Sequence, residues 1–411
     1  MNNAFNTQRN LATIRWLTFF MFMMFAMTTD SVGVIIPQVI REFRLSMTVA
    51  GAFHYATMSG IALAGFFLGY LADKLGRKKT IILGLTLFAL SSYLFAVGST
   101  FLFFLALLLF SGFAIGIFKT GALALIGDIT RSTTEHTSTM NTVEGFFAVG
   151  AIIGPAVVAH LLAIGTSWKW LYIFAATLCS LLLLTALFVR YPQTMTTSEP
   201  VDMRRTFAMM RNPYALGFSG AIFLYVAVES AVYVWMPTLL AGDKGPKNFV
   251  TAYAISIFFV LRAAGRFIGS WMLAKLNWAA ITTIFSLAIF VCFLASAAGG
   301  VQAAAYLLPF SGLFMSVLYP TINSKGISCF RKAEHGTVAG VILFFTCGAA
   351  VVGPLAMGAV SDKFGDPKYG FFLATGFAGL LFISLLSNWI TNPTREILHK
   401  LDSTEYHVAK S

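Results

Sequence analysis

Apolar segments of about 20 residues recur twelve times along this chain of 411 residues, each nearly free of charge. About 20 apolar residues are what a helix needs to cross the hydrocarbon of a bilayer. There the backbone must satisfy its own hydrogen bonds, so only helices and closed barrels can span it. The segments fall near 16–40, 49–72, 80–98, 101–128, 137–163, 168–190, 214–240, 249–275, 279–299, 301–325, 336–360 and 368–391. None alternates apolar with polar residues as a barrel strand would. The expected fold class is an all-α membrane protein with twelve transmembrane helices. Composition agrees: 11% of residues are charged and 58% hydrophobic, with a mean hydropathy of +0.79. A soluble domain carries roughly 25% charged residues, so lipid must be part of this chain's solvent.

The segments echo each other at an offset of 199–200 residues. Asp30 and Pro37 recur as Glu229 and Pro237, Gly69 as Gly269, and Gly154-Pro155 as Gly353-Pro354. Two parallel six-helix repeats with a site between them are a transporter architecture. The expected organisation is an N-terminal bundle at 1–190, a cytoplasmic linker at 191–213 and a C-terminal bundle with a short tail at 214–411. The linker, rich in Thr and Pro, is the one sizeable polar connection.

Charge sets the orientation. Most of the 28 Lys and Arg residues fall on the side that holds both termini, in clusters such as Lys74, Arg77, Lys78 and Lys79. By the positive-inside rule both termini are expected in the cytoplasm. These clusters are short and sit beside spans, which argues against nucleic acid as a partner. Arg9 and Arg15 precede the first span, but its apolar run is too long for a signal peptide and lacks a small-residue cleavage site. The four cysteines follow no metal or disulfide pattern, and no cofactor motif occurs. No Asn-x-Ser/Thr acceptor is present (Asn392 precedes Pro), which favours a bacterial inner membrane. The chain is expected to act as a monomer.

Between the second and third spans runs Gly69-Tyr-Leu-Ala-Asp73-Lys-Leu-Gly76-Arg77-Lys78-Lys79. Glycine permits close helix contact and a sharp exit, and an Asp/Arg pair can dock on a neighbouring helix end through its dipole and charge-assisted hydrogen bonds. This segment closely resembles the loop signature of the major facilitator superfamily. The resemblance implies that Gly69, Asp73, Gly76 and Arg77 gate the carrier by latching its halves together. A finer resemblance points to the fucose/glucose/galactose proton symporters. It rests on Gly265-Arg266-Phe267-Ile268-Gly269-Ser270-Trp271, Tyr319-Pro320-Thr321-Ile322 with Gly326-Ile327, Asn141-Thr-Val-Glu144 with Gly150, and Ile36-Pro37-Gln38.

The chain departs from that family at its coupling groups. Lys119 stands where the family has a Glu in span four, and Gly33 where it has an Asp in span one, with Asp30 about one turn away. Gly150-x-x-x-Gly154-Pro155 also resembles a motif of drug/proton antiporters, but Val158 and Ala159 replace the glycines that should follow. The same Gly-Pro in span eleven favours a structural bend shared by both repeats.

Ionisable groups at membrane depth cost about 2.5–3.5 kcal/mol each on insertion scales, so they mark cavities or pairs. Asp30 is the first candidate for proton coupling, followed by Glu229 and Glu144. A coupling carboxylate needs a pKa raised by burial and lowered on exposure or pairing. Asp30 and Glu229 occupy equivalent places in the repeats and are expected to face each other across a cleft. Glu229 could instead serve as the partner of Arg262 or Arg266. Lys119 and Glu144 lie at equal depth on neighbouring helices and are expected to form a breakable salt bridge. Arg262 and Arg266 share one helix face at i, i+4, and with Lys119 they could hold a carboxylate or phosphate. Tyr225, Trp235 and Asn323 are expected to line the cavity with them. His54 reads as a satisfied surface histidine.

The expected function is alternating-access transport of a small polar solute (a sugar, a sugar acid or a related organic anion), coupled to protons by symport. The alternative is proton-driven efflux of a drug or metabolite. No nucleophile–base set or metal cluster suggests an enzyme, and no soluble output domain suggests a sensor.

Overall fold

The computed structural model describes residues 2–45, 49, 52–193, 203–241, 249–273 and 275–406. The middle of the expected linker, 194–202, lies outside them. Every regular element among the described residues is helical. In chain order these are α1 (Asn2–Thr29), α2 (Val32–Phe43), α3 (Ala52–Leu68), α4 (Leu71–Lys74), α5 (Arg77–Tyr93), α6 (Phe101–Ile129), α7 (Thr133–Ala163), α8 (Trp170–Phe188) and α9 (Met203–Met209). They continue as α10 (Pro213–Ser230), α11 (Met236–Ala241), α12 (Phe249–Leu273), α13 (Trp278–Met315), α14 (Leu318–Ser328), α15 (His335–Phe364), α16 (Lys368–Thr391) and α17 (Arg395–Leu401).

Ten helical stretches among the described residues are long and apolar enough to cross a membrane, and α3 is a shorter apolar helix. One of the ten, Trp278–Ser328, runs for 51 residues. At 1.5 Å per residue that is far more than one crossing needs. The backbone turns within it at Gly300, whose φ of 72° suits glycine.

Two spans are less regular than their hydropathy suggests. The first is not one helix over 16–40: α1 ends at Thr29, and α2 restarts at Val32 after Asp30 and Ser31. The reason is local. The Thr28 hydroxyl donates back to the Phe25 carbonyl, and Ser31 Oγ donates to the Met27 carbonyl. Such back-bonding competes with the helix ladder. In the second repeat α10 passes at the matching place into a π-turn, Ala231–Trp235, directly after Glu229 and Ser230. Breaks and π-turns of this kind concentrate at functional sites.

Contacts divide the chain into two compact units that do not follow chain order. Unit 1 holds Met1–Thr130, Phe146–Asn212 and Phe330–Cys347. Unit 2 holds Arg131–Gly145, Pro213–Cys329 and Gly348–Ser411. Each unit therefore incorporates a short segment from the other half of the sequence.

Close helix crossings rest on small residues. In unit 1, a Cβ on Gly60 would strike the Leu109 carbonyl, and one on Gly112 the Thr57 carbonyl, so α3 and α6 touch backbone to backbone. A Cβ on Gly84 would come within 2.7 Å of Phe118. Phe53, Phe95, Phe104, Trp168 and Tyr172 form a buried aromatic cluster in this unit, with Phe95 stacked on Tyr172 at 3.8 Å.

Candidate functional site

In unit 1 the polar loop after α3 closes on the start of α15. Gly69 lies where a Cβ would crowd Gly340, and Gly76 takes a φ of 86° that a side chain would strain. Asp73 accepts from the backbone N–H groups of Gly336 (3.0 Å) and Thr337 (2.8 Å) and from the Thr337 hydroxyl (2.8 Å). The carboxylate thus caps the positive end of a 30-residue helix. Arg77, fully buried, holds Asp73 at 2.7 Å and Asp128 at 3.0 Å, and donates to the carbonyls of Ala72 and Lys332. Burial pushes the Asp73 carboxyl above the usual carboxylate range, and Arg77 and Thr337 offset part of that rise. Nearby, Arg205 pairs with Glu334 at 2.7 Å.

Unit 2 contains a comparable grip on Arg131–Gly145. Arg266, 1% exposed, donates to the Glu144 carbonyl at 2.7 Å and lies 3.5 Å from its carboxylate. The glycines beside this arginine explain its motif. A Cβ on Gly265 would meet Ser316, one on Gly269 would meet Val317, and Phe267 packs over Gly145. Asn141 donates to the hydroxyl of Thr321, and both His136 and Thr137 bond the Ser324 hydroxyl.

One turn from Arg266, Arg262 pairs with Glu229 at 2.6 Å. The Tyr225 hydroxyl lies 2.5 Å from the same carboxylate and 2.9 Å from the Met315 carbonyl, with one proton to give. Tyr225, Glu229, Arg262, Arg266 and Glu144 thus form one run of polar groups at the π-turn. Trp235 also lies in that turn but spends its indole N–H on the Pro354 carbonyl at 3.1 Å. Asn323 is buried, and its Oδ1 has no hydrogen-bond partner among the described residues.

The two remaining candidates belong to unit 1. Asp30 sits half-buried at the helix break and accepts from the Thr29 hydroxyl at 2.7 Å. Lys119, half-buried on α6, places its ammonium 4.8 Å from the centre of the Phe147 ring. The expected Lys119–Glu144 pair is divided between the two units, Lys119 in unit 1 and Glu144 in unit 2. Glu144 is engaged by Arg266, whose delocalised charge and fork serve both the carboxylate and the carbonyl. Lys119 makes no ion pair among the described residues. His54 also differs from expectation: its Nε2 is buried without a hydrogen-bond partner among the described residues, and its ring lies edge-on to Tyr55.

Three engaged residues escaped the motif reading. Asp128 shares Arg77 with Asp73. His136 and His335 are both fully buried where α7 and α15 begin, and His335 Nε2 bonds the Phe330 carbonyl at 3.1 Å. The histidines are 199 residues apart, so the repeat offset already carried that signal.

The model of the Major Facilitator Superfamily matches residues 18–354. The chain belongs to the Major Facilitator Superfamily. Within this superfamily it is similar to the cis,cis-muconate transport protein of Acinetobacter baylyi, at 22% identity over 92% of this chain and 93% of that one. It is also similar to the L-fucose-proton symporter of Escherichia coli, at 24% identity over 84% and 86%. A crystal structure of the superfamily transporter FucP, in the outward conformation, superposes with a TM-score of 0.77 at 21% identity, covering 90% of this chain and 97% of that one. The protein is a multi-pass membrane protein and a secondary transporter, not an enzyme.

Proposed function

We propose that this facilitator moves a small organic anion, such as a sugar acid or dicarboxylate, together with protons. The observation that carries the reading is Lys119. A cation at membrane depth with an aromatic face and no ion pair among the described residues lacks the counter-charge that its desolvation calls for. A carboxylate solute would supply it. One relative is named for muconate, a dicarboxylate, and another for proton symport. Asp30 is the proposed proton carrier, because it is a half-buried carboxylate at a helix break. Glu229, paired with Arg262, is the second titrating group, and Glu144 holds the Arg266 clasp.

In this proposal the chain crosses the membrane twelve times as two six-helix bundles, with both termini and the linker in the cytoplasm. Transport requires that Phe330–Cys347 leave the Asp73 loop and that Arg131–Gly145 leave Arg266 once per cycle. Gly69, Asp73, Gly76 and Arg77 therefore act as a releasable gate.

Proteoliposome uptake tests the reading. Asp30→Asn is expected to abolish accumulation driven by a pH gradient while leaving solute exchange in place; undiminished accumulation would overturn the proton role. Lys119→Gln is expected to weaken binding of cis,cis-muconate and sugar acids by about tenfold or more, as for a lost charge-assisted hydrogen bond. A thermal shift with neutral sugars alone would remove Lys119 from the site, and one with lipophilic cations alone would favour efflux.

A further inference from the structure

A polar cavity lies in unit 2, lined by none of the residues assigned to transport. It encloses about 490 Å³ and is lined by Thr133, Trp278, Lys325, Arg395, His399 and Asp402, among others. That volume falls within the range of pockets that hold small ligands. Helix ends form its walls: α7 begins at Thr133, α13 begins at Trp278, α14 ends just past Lys325, and α17 follows the end of α16. Ends of spanning helices mark the headgroup level of a membrane, where tryptophan is also enriched.

The charges there are unequal. Lys325 is 4% exposed, donates to the Thr133 carbonyl at 3.3 Å, and lies 5.9 Å from the centre of the Trp278 ring. An ammonium has three donors, and one carbonyl does not use them up. Arg395 and His399 add two exposed donors one turn apart on α17. Against these stands one lining carboxylate, Asp402: its Oδ1 accepts from the Thr133 backbone N–H at 2.9 Å, and its single charge also faces Lys325. The helix-end donor of α7 is thus occupied by the chain's own carboxylate. The side-chain donors around it remain in excess.

We propose that this cavity is a binding site for a phosphate group, presented either by an anionic lipid or by a soluble phosphate. Arg395, His399 and Lys325 line one cavity, so a ligand that engages all three must offer several oxygens at once. A phosphate does this, and a fork-shaped guanidinium matches two of them. Basic pockets between spanning helices at the headgroup level have this chemistry. The bound group would tie α17 to the starts of α7 and α13 and to the end of α14.

The test is thermal unfolding of the full chain in neutral detergent, titrated with inorganic phosphate in one arm and phosphatidylglycerol in the other, with phosphate-free diacylglycerol as control. The wild type is expected to melt higher with at least one of the first two. Arg395→Gln combined with His399→Gln is expected to weaken that response by about tenfold, the effect of one charge-assisted hydrogen bond. Lys400→Gln removes a charge from the same helix outside the cavity lining and is expected to leave the response intact. A response to phosphatidylglycerol alone identifies a lipid headgroup; a response to inorganic phosphate identifies a soluble ligand. No response in either arm, an equal response to diacylglycerol, or an equal response in the double variant overturns the site. The double variant changes two exposed side chains, so loss of folding does not obscure the result.

Discussion

Arg266 shows how much rests on single partners inside this protein. Its guanidinium is buried, and its closest compensation is the Glu144 carboxylate at 3.5 Å together with a bond to the Glu144 carbonyl. Glu144→Gln is expected to destabilise the carrier by about 3–5 kcal/mol, as removal of one partner from a buried pair does. Thermal unfolding in detergent checks this, and a loss below about 1 kcal/mol would mean that other groups carry the charge. Exchanging the charges of Lys119 and Glu144 is expected to fail to restore uptake, since Glu144 answers to Arg266. Rescue by that swap would restore the pairing inferred from helix depth. Depth along neighbouring helices was legible in the sequence, but the choice between Lys119 and Arg266 was not. That choice depends on a contact across 122 residues, set by how far the glycines at 265 and 269 let α12 approach.

At the scale of helices, glycine positions decide which backbones can touch. A methyl group on Gly340 would run into the Gly65 carbonyl, while one on Gly376 would meet open space. Gly340→Ala is therefore expected to cost about 1–3 kcal/mol by overpacking, and Gly376→Ala to change little. Melting midpoints of the two variants, measured side by side, test the contrast; equal midpoints would refute it. The Gly150…Gly154 pattern has the same basis. A Cβ on either residue would strike a carbonyl of α1, at Met23 and Met27, which makes this a packing groove beside Asp30. Gly353 repeats the arrangement against Ala227 and Ser230 beside Glu229. The helix break at Asp30 and the π-turn after Glu229 were not visible as breaks in hydropathy, because both occur inside unbroken apolar runs. The hydroxyls of Thr28, Thr29 and Ser31 around Asp30 were the available signal for the first.

At the scale of the molecule, the Asp73 clasp and the Arg266 clasp belong to different compact units. Asp73→Asn and Glu144→Gln are therefore expected to lower stability additively, within about 0.5 kcal/mol, in a double-mutant cycle. A larger coupling would show that the two clasps open as one element. The sequence by itself determined the solvent, the helical class, the 199–200-residue spacing of matching residues and the loop at 69–79 that resembles the superfamily signature. Each of these follows from local composition or from periodic spacing, which a linear reading can count. Only the tertiary structure decided that segments 131–145 and 330–347 pack with the opposite half, that Arg77 bridges Asp73 and Asp128, and that Lys119 is left facing an aromatic ring. Such pairings join residues as far as 264 positions apart. They are selected by backbone approach and by competition among buried charges, and no local pattern encodes either.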